Sequence, residues 1–243
     1  MKFSTLGRLG VAPWLPWGRK HELPDFLRAY ESGPWPDPQK PWREARYVVL
    51  DVETSGLNER RDSLLAIGLV EIEDGRIRLD RTWHTMIRPP EGLLVAADSI
   101  RIHGLMRNEL ATAPTFEEVL PALIERLAQR VLIVHVSRID VGFLNRALKQ
   151  HYGSKLHGPI LDTARIAVTM HQRAQMLGAV SHDMPMPAIQ LRGLASSFGL
   201  PVYGQHDALN DALTTAQVFL AQATRLAQQG KHTLKALLRS GGV

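Results

Sequence analysis

Three strand-like runs follow one another between residues 46 and 89, and they constrain the fold more than any other feature of the chain. The runs are rich in β-branched and aromatic residues and have the sequences RYVVLDVE, SLLAIGLVEIE and RIRLDRTWHTMIRP. Such composition favours strands. The dipeptide Asp74-Gly75 between the second and third runs predicts a tight hairpin turn. The core of the fold is therefore expected to begin with antiparallel strands.

Helix-like and strand-like segments alternate after Pro90. TFEEVLPALIERLAQ has apolar residues at intervals of three and four, which predicts one buried helix face. The segments that follow are a strand (RVLIVHV), a helix (DVGFLNRALKQHY), a short strand (PILDT) leading into a helix, a loop (MLGAVSHDMPMP), a short helix (IQLRGLASSFGL) and a long helix (HDALNDALTTAQVFLAQATRLAQQG). Together they predict an α/β fold, in which a mixed sheet of three leading antiparallel strands and further alternating strands is flanked by helices.

Length and composition predict one main domain. The chain has 243 residues, 44% of them hydrophobic, which is enough for one substantial core. Residues 45–230 carry the regular pattern, with an N-terminal extension over 1–44 and a C-terminal tail over 231–243. The extension holds four of the five tryptophans and many prolines. Its aromatic residues either cover an exposed face of the domain or dock a protein partner.

The net charge and the residue content limit the classes of binding partner and the types of metal ligand that the chain can have. A net charge of +5 favours polyanionic partners, but only weakly. The chain has no cysteine, so any metal must use oxygen or imidazole ligands. Prolines interrupt the only candidate signal segment, and no apolar stretch approaches the roughly 18 residues that a membrane span needs. We therefore expect a cytoplasmic protein without a membrane segment.

Four acidic residues occupy positions that call for an explanation. A carboxylate close to another carboxylate or among apolar residues destabilises the fold unless a partner balances its charge. Asp51 and Glu53 are two positions apart on the first strand, so their side chains point to the same face and repel each other. Asp140 lies at the start of a predicted helix, where it could simply cap the helix. Asp211 lies among apolar residues of the last long helix, where an unpaired carboxylate would be expensive.

These acids and a nearby histidine suggest chemistry at phosphorus. Hard divalent cations such as Mg²⁺ prefer carboxylate oxygens, and four acids can hold two ions. Pairs of such ions assist in-line displacement at phosphorus. His206 lies in the loop before the last long helix, next to Asp207, which is a plausible N-cap. A neutral imidazole is suited to take a proton from attacking water. The set therefore indicates phosphodiester hydrolysis.

Four stretches in order, from about Tyr47 to Phe219, resemble the motifs of the DEDDh exonucleases. LDVETSGL is similar to the first motif and SIRIHGL to a His-Gly-Ile segment near the terminal nucleotide. HVSRIDVGFL is similar to the second motif, and HDALNDALTTAQVF to the third, with the His-x4-Asp spacing intact. The family comprises 3′-to-5′ enzymes, including proofreading subunits, with a ribonuclease H-like fold.

The resemblance implies a role for each matching residue. Two Mg²⁺ or Mn²⁺ ions would be bound by Asp51, Glu53, Asp140 and Asp211, with His206 as the general base. The 3′-terminal nucleotide would be surrounded by Thr54, Leu57, His103 and Ile139. Val136 and Ile139 stand where the second motif usually has Asn and Phe, which affects the substrate contacts rather than the metal ligand.

The function implied by these motifs is the release of nucleoside 5′-monophosphates from single-stranded DNA or RNA 3′ ends. The sequence does not distinguish DNA from RNA, because that choice depends on contacts to the 2′-hydroxyl. Two alternatives stay open. One is a non-catalytic exonuclease-like module that binds a partner through the extension, and the other is a small-molecule phosphohydrolase with similar metal chemistry.

Overall fold

The structure is a computed structural model that describes residues 23–243 except 94, 96, 182, 184, 185, 187, 188 and 205. Trp14 and Trp17 of the N-terminal extension lie outside the described residues. So does part of the loop predicted between the helices near residues 176 and 191.

One five-stranded mixed sheet forms the centre of the molecule. Its strands are β1 (Tyr47–Thr54), β2 (Leu64–Glu73), β3 (Arg76–Met86), β4 (Val131–Val134) and β5 (Ile160–Asp162). They lie in the order β3-β2-β1-β4-β5. The first three strands are antiparallel, whereas β4 is parallel to β1 and β5 to β4. The predicted mixed sheet with three leading antiparallel strands is confirmed.

Helices flank this sheet on both faces. They are α1 (Asp25–Ser32), α2 (Ala97–His103), α3 (Arg107–Thr112), α4 (Phe116–Leu127), α5 (Ser137–Tyr152), α6 (Thr163–Met176), α7 (Leu191–Ser197), α8 (Ala208–Gln228) and α9 (Leu234–Gly241). The sequence patterns predict α4 to α8. They do not resolve α2, α3 and α9, which have only six to eight residues each.

Alternation along β1 divides the core into two layers. Val48, Leu50 and Val52 belong to a cluster that includes buried residues of α4 and α5. Tyr47 and Val49 point to the other face and belong to a cluster with α8 and α9. On α4, all six apolar residues that define the predicted face are buried: Phe116, Val119, Leu120, Leu123, Ile124 and Leu127. A strand with both faces buried can place polar side chains only near its end.

The turn between β2 and β3 has the predicted form. Asp74 and Gly75 both take positive φ values, 52° and 68°. Two consecutive residues with positive φ form the tight turn that matches the twist of a hairpin, and Asp-Gly is a favoured pair for it. The turn lies at the end of the sheet where β1 begins, because Tyr47 pairs with Ile72.

The described part of the N-terminal extension packs on the domain. Leu27 of α1 is buried, and the Tyr30 hydroxyl donates a hydrogen bond of 2.8 Å to the His157 carbonyl oxygen. Trp42 is buried with its ring edge toward Phe219, at a centroid distance of 6.2 Å. These tryptophan and tyrosine contacts cover the domain, whereas docking by Trp14 and Trp17 remains a prediction.

The C-terminal residues also contact the core. Leu234 and Leu237 of α9 are fully buried beside α8. The proposed division at residues 44 and 230 remains a prediction about domain boundaries. Within the described residues, no helix has the length and apolar character required to cross a membrane.

Candidate active site

Three carboxylates converge where β1 ends. Asp51 and Glu53 point to the face of the sheet that α8 covers, and Val52 between them packs in the opposite core layer. Asp211 lies in the first turn of α8. One carboxylate oxygen from each of Asp51, Glu53 and Asp211 lies within 4.8 Å of the others. The predicted orientation of the two strand acids therefore brings them to a third acid from a distant part of the chain.

Gly68 allows α8 to approach this closely. It is the cross-strand partner of Asp51 on β2. A Cβ atom at Gly68 would overlap the backbone of Ala208 and Leu209 at the start of α8. Because glycine has no side chain, the first turn of α8 lies directly against β2. This contact places Asp211 beside the strand acids.

Asp140 joins the group from the other side. It lies in the first turn of α5 and is 2% exposed. Its Oδ1 accepts a hydrogen bond of 3.2 Å from the Val52 backbone N–H, between the two strand acids. The side chain thus ties α5 to β1, in addition to any capping of its own helix. Asp140 lies outside the tight group of three, but its charge contributes to raising the pKa of Asp51.

Burial and mutual repulsion raise the pKa values of all four acids. Burial, together with the charges of Asp211 and Asp207, raises the pKa of Glu53 to about 8. Burial, followed by the charges of neighbouring acids, raises the pKa of Asp51 well above its usual value. Burial also raises the pKa of Asp140 and of Asp211. In the folded protein these carboxyl groups lie close together, and ionising all of them at once is unfavourable.

His206 is held at the edge of this group by its backbone. Its N–H donates a hydrogen bond of 3.1 Å to Oδ2 of Asp211, and the residue is exposed with φ at 58°. Asp207 caps α8, because its carboxylate accepts a hydrogen bond of 2.9 Å from the Asn210 N–H. The predicted cap is confirmed. The His206 side chain takes no part in this cap.

A hydrogen-bonded chain connects Thr54 with His103. The Ser99 hydroxyl donates to the Thr54 carbonyl oxygen at 3.0 Å and lies 3.0 Å from Nε2 of His103. Nδ1 of His103 accepts from the Leu105 N–H at 3.0 Å, so the proton of a neutral ring is on Nε2. Burial and the charge of His206 lower the pKa of His103, which favours the neutral ring. His103 thereby orients the backbone immediately after Glu53.

The other two predicted substrate residues lie outside this hydrogen-bonded chain. Leu57 is 78% exposed in the loop after β1. Ile139 is half-buried and packs against the core layer of α4 and α5. Both remain predictions as nucleotide contacts.

Val136, the other departure from the second motif, has an unusual backbone. It is the N-cap of α5, with a left-handed conformation at φ 63°. Its N–H donates to Asp162 Oδ1 at 3.2 Å. For a β-branched residue this conformation is strained, whereas asparagine adopts it more readily.

The sequence analysis missed two residues that position this site, Gly68 and Ser99. A glycine within an apolar strand is a signal for close backbone approach, and SLLAIGLVEIE contains one at Gly68. Ser99 stands one helical turn before His103, so a hydrogen bond between their side chains is compatible with the spacing.

Comparison with known proteins identifies the family of this site. The family model described as "Exonuclease" matches residues 48–219, which contain every predicted metal ligand and His206. The chain belongs to this exonuclease family. Together with the order of its motifs and its structural neighbours, the match identifies a DEDDh-family exonuclease.

Two relatives are bacterial DNA polymerase III proteins. The chain is 32% identical over 179 residues to a PolC-type DNA polymerase III of Thermotoga petrophila, covering 74% of this exonuclease and 12% of that protein. It is 28% identical over 177 residues to the DNA polymerase III subunit epsilon of Aquifex aeolicus, covering 73% of this chain and 80% of that subunit. The chain thus spans about an eighth of the PolC-type protein it matches.

Solved nuclease structures share the fold. The nuclease domain of 3′hExo, described as a DEDDh family member bound to rAMP, matches with a TM-score of 0.58 and 16% identity over 79% of this chain and 96% of that one. Exonuclease X in complex with 5′ overhanging duplex DNA matches with a TM-score of 0.57 and 19% identity over 80% of this chain and 99% of that one. These similarities establish a ribonuclease H-like exonuclease fold.

Proposed function

We propose that this exonuclease-family protein is a metal-dependent 3′-to-5′ exonuclease that releases nucleoside 5′-monophosphates from single-stranded DNA or RNA ends. The observation that carries the proposal is the group of Asp51, Glu53 and Asp211, whose carboxylate oxygens lie within 4.8 Å of one another. Among the described residues, no lysine or arginine forms an ion pair with these three acids. A cation is the partner that such a group lacks.

The residues fit a pair of Mg²⁺ or Mn²⁺ ions. All the donors are carboxylates, which suit hard divalent cations. Their pKa values are raised first by burial and then by the charges of neighbouring acids, and a bound cation would offset both effects. Asp51, Glu53 and Asp211 would hold the ions, with Asp140 as the fourth carboxylate beside Asp51. When bound, such ions neutralise charge on the phosphodiester and promote deprotonation of the attacking water.

His206 is proposed as the general base. Its backbone N–H is fixed by Asp211, and its exposed imidazole is not needed to cap α8. The ring can therefore turn toward the scissile phosphate and accept the proton of the attacking water. Asp207 has the capping role and adds negative charge near Glu53.

Thr54 and His103 are proposed to form the side of the site that receives the terminal nucleotide. The chain from His103 through Ser99 to the Thr54 carbonyl oxygen fixes the end of β1 next to Glu53. His103 is largely buried and both its ring nitrogens are engaged within the protein. Its main contribution is therefore to position Thr54, while the exposed Leu57 is available to contact a base. Ile139 is half-buried and would contact the nucleotide from the first turns of α5.

The direct test is incubation of purified protein with labelled single-stranded DNA and RNA, with and without Mn²⁺. We expect a ladder that shortens from the 3′ end, with nucleoside 5′-monophosphates as products and no cleavage in excess EDTA. A 5′-labelled strand gives the ladder, while a 3′-labelled strand releases its label as a mononucleotide. Release of labelled mononucleotides from the 5′ end would contradict the direction.

The same assay separates the two alternatives. Competition between oligonucleotides and small phosphoesters would identify a small-molecule phosphohydrolase if the small ester is preferred. A protein that binds an end without cleaving it under any cation would be the non-catalytic module. The presence of all four acids and His206 favours catalysis. Partner binding by the N-terminal extension and a cytoplasmic location remain predictions.

A further inference from the structure

A groove with a volume of about 960 Å³ lies beside the carboxylate group and is separate from it. The loop between β1 and β2 forms one wall, and α5 and the start of α4 form another. Residues after β3 and residues of α3 close the remaining sides. None of the four candidate metal ligands lines it.

Four arginines from different parts of the chain line this groove: Arg61, Arg88, Arg107 and Arg146. Arg107 donates one N–H to the Val95 carbonyl oxygen at 2.8 Å, and Arg146 donates one to the Asp62 carbonyl oxygen at 3.2 Å. A guanidinium has five N–H donors, so each bond orients the group and leaves most donors available. Arg61 and Arg88 are exposed, and neither forms an ion pair with a described residue.

Two of the three acids that line the groove are engaged within the protein. The Asp62 carboxylate accepts hydrogen bonds from the Ser55 hydroxyl at 3.3 Å and the Asn58 N–H at 2.8 Å. Glu117 lies 2.7 Å from Nδ1 of His151. Glu91 is exposed at the rim. The arginines are therefore not neutralised by direct ion pairs with these acids.

Two elements lead from the candidate active site to the groove. Asp140 and Arg146 both stand on α5, about 9 Å apart along its axis at about 1.5 Å per residue. On the other wall, Ser55 directly follows Thr54 and is held by Asp62. A strand whose 3′ end lies at Thr54 can thus extend along α5 into the groove.

We propose that this groove binds the phosphate backbone of a single nucleic-acid strand upstream of its 3′ end, an inference that rests on the proposed function. Planar guanidinium groups bind phosphate in a bidentate manner, and arginines on opposing walls suit a chain of phosphates. The floor is formed by buried apolar residues such as Leu64, Ile87 and Phe116. Because these side chains are buried, none is available to stack on a base, so the groove contacts the backbone and does not depend on base sequence.

The primary test is equilibrium binding of a fluorescent oligothymidylate of about ten nucleotides, a length typical of single-strand sites. EDTA is present throughout so that cleavage does not interfere. Arg61→Gln and Arg88→Gln change exposed residues and leave the core intact, which the unfolding temperature checks. We expect each variant to weaken binding and to reduce the slope of log K against log salt by about 0.7, the value for one lost phosphate contact.

Arg76→Gln is the matched control, because Arg76 is exposed beside the hairpin turn at the opposite end of the sheet from Glu53. Equal slopes for the wild type, Arg61→Gln and Arg88→Gln would overturn the proposal. A loss for Arg76→Gln as large as for the groove variants would also overturn it, because general positive charge would then explain binding.

Cleavage of substrates of different length gives a second measurement. On the longer oligonucleotide the groove variants should raise KM more than they lower kcat, and the loss should be smaller on a dinucleotide. Equal losses on both lengths would contradict an upstream binding role. A wild type that binds strands with the expected salt slope but cleaves none would contradict the proposed function and leave the groove supported.

Discussion

The acidic side chains at the two ends of the central sheet have opposite surroundings. At the hairpin end, Glu73 lies 3.0 Å from both Arg78 and Arg81. Glu71 beside it lies 3.3 Å from Arg130. Both of these glutamates have an arginine partner from the sheet or the adjoining loop. At the carboxyl end of β1, the acids face one another instead.

Among the described residues, positive φ values occur at both ends of the sheet, including Gln129 at 59° just before β4, but the β-branched residue that adopts one lies at the carboxyl end. The hairpin turn takes its positive φ values at Asp74 and Gly75, residue types that tolerate them. Near the carboxyl end of the parallel strands, positive φ values occur at Val136 and His206. Unbalanced charge and a strained valine both lower stability, so their coincidence near one end of the sheet indicates that this end is specialised for binding and chemistry.

The largest expected effect comes from removing an acid at the carboxyl end. Asp51→Asn should lower cleavage by about 10³-fold or more, since loss of bound cations removes several kcal/mol of transition-state stabilisation. It should also weaken Mn²⁺ binding in calorimetry. Glu73→Gln at the hairpin end is the control and should cleave at the wild-type rate. Equal activity of the two variants would contradict the assignment of catalysis to the carboxyl end of β1.

His206→Ala should reduce turnover by a factor of roughly 10² to 10⁴, the usual contribution of general base catalysis. It should also flatten the acidic limb of the pH-rate profile while the affinity for Mn²⁺ changes little. Asp207→Ala should instead lower the free energy of unfolding by about 1 kcal/mol through loss of the cap of α8. Single-turnover kinetics with an unaltered rate and profile for His206→Ala would show that another group is the base.

Gly68→Ala tests how the third acid reaches the other two. The added methyl group would overlap the backbone at Ala208 and Leu209, so α8 must move away from β2. We expect a loss of about 1–3 kcal/mol in the free energy of unfolding, as for other overpacked sites, together with weaker Mn²⁺ binding. Gly204→Ala is the control, since its added Cβ would lie at an ordinary 3.7 Å from Asn210. Unchanged Mn²⁺ affinity in Gly68→Ala would show that α8 does not depend on this contact.

The metal-free protein should lose stability as the pH rises. Because the pKa of Glu53 is raised from 4.5 to about 8, the folded state holds a proton that the unfolded chain has released. The free energy of unfolding in EDTA should therefore fall between about pH 5 and about pH 8, at about 1.4 kcal/mol for each unit of pKa shift before other groups are counted. Glu53→Gln removes this group and should flatten the dependence, as should added Mn²⁺. A pH-independent metal-free stability would contradict the raised pKa of Glu53.

Local patterns carried most of the fold prediction. The apolar spacing of α4, the Asp74-Gly75 turn and the cap at Asp207 depend on neighbours in sequence, and the structure has all three. The strand acids could also be assigned to one face, because alternation in a strand is a local property. Their meeting with Asp211 followed only from the family resemblance.

Features that depend on tertiary contacts were not predicted. The short helix α9 is stabilised by burial of Leu234 and Leu237 against α8, which no short sequence window can show. The groove arginines are spread from residue 61 to residue 146 and come together only through the tertiary packing of the β1–β2 loop, the segment after β3, α3 and α5. The strain at Val136 was likewise hidden, because the left-handed backbone conformation of this residue is not visible in the sequence.

The smallest expected effect comes from relieving that strain. Val136 adopts φ 63° and ψ 66°, and a left-handed conformation costs an L-residue about 1–2 kcal/mol. Asparagine tolerates this region better than a β-branched residue, and the N–H to Asp162 would be retained. Val136→Asn should therefore raise the free energy of unfolding by about 1 kcal/mol in chemical denaturation.

Val136→Ile is the matched control for this substitution, because it keeps the β-branch and should give no gain. If Val136→Asn lowers stability while Val136→Ile does not, apolar packing of the half-buried side chain outweighs the backbone strain. The strain would then be an incidental result of packing at the start of α5. A gain in stability with unchanged cleavage would mean that the unbalanced carboxylates alone distinguish the active end of the sheet. A gain in stability with altered KM would mean that the position of α5, which carries both Asp140 and Arg146, is set partly by the conformation of Val136.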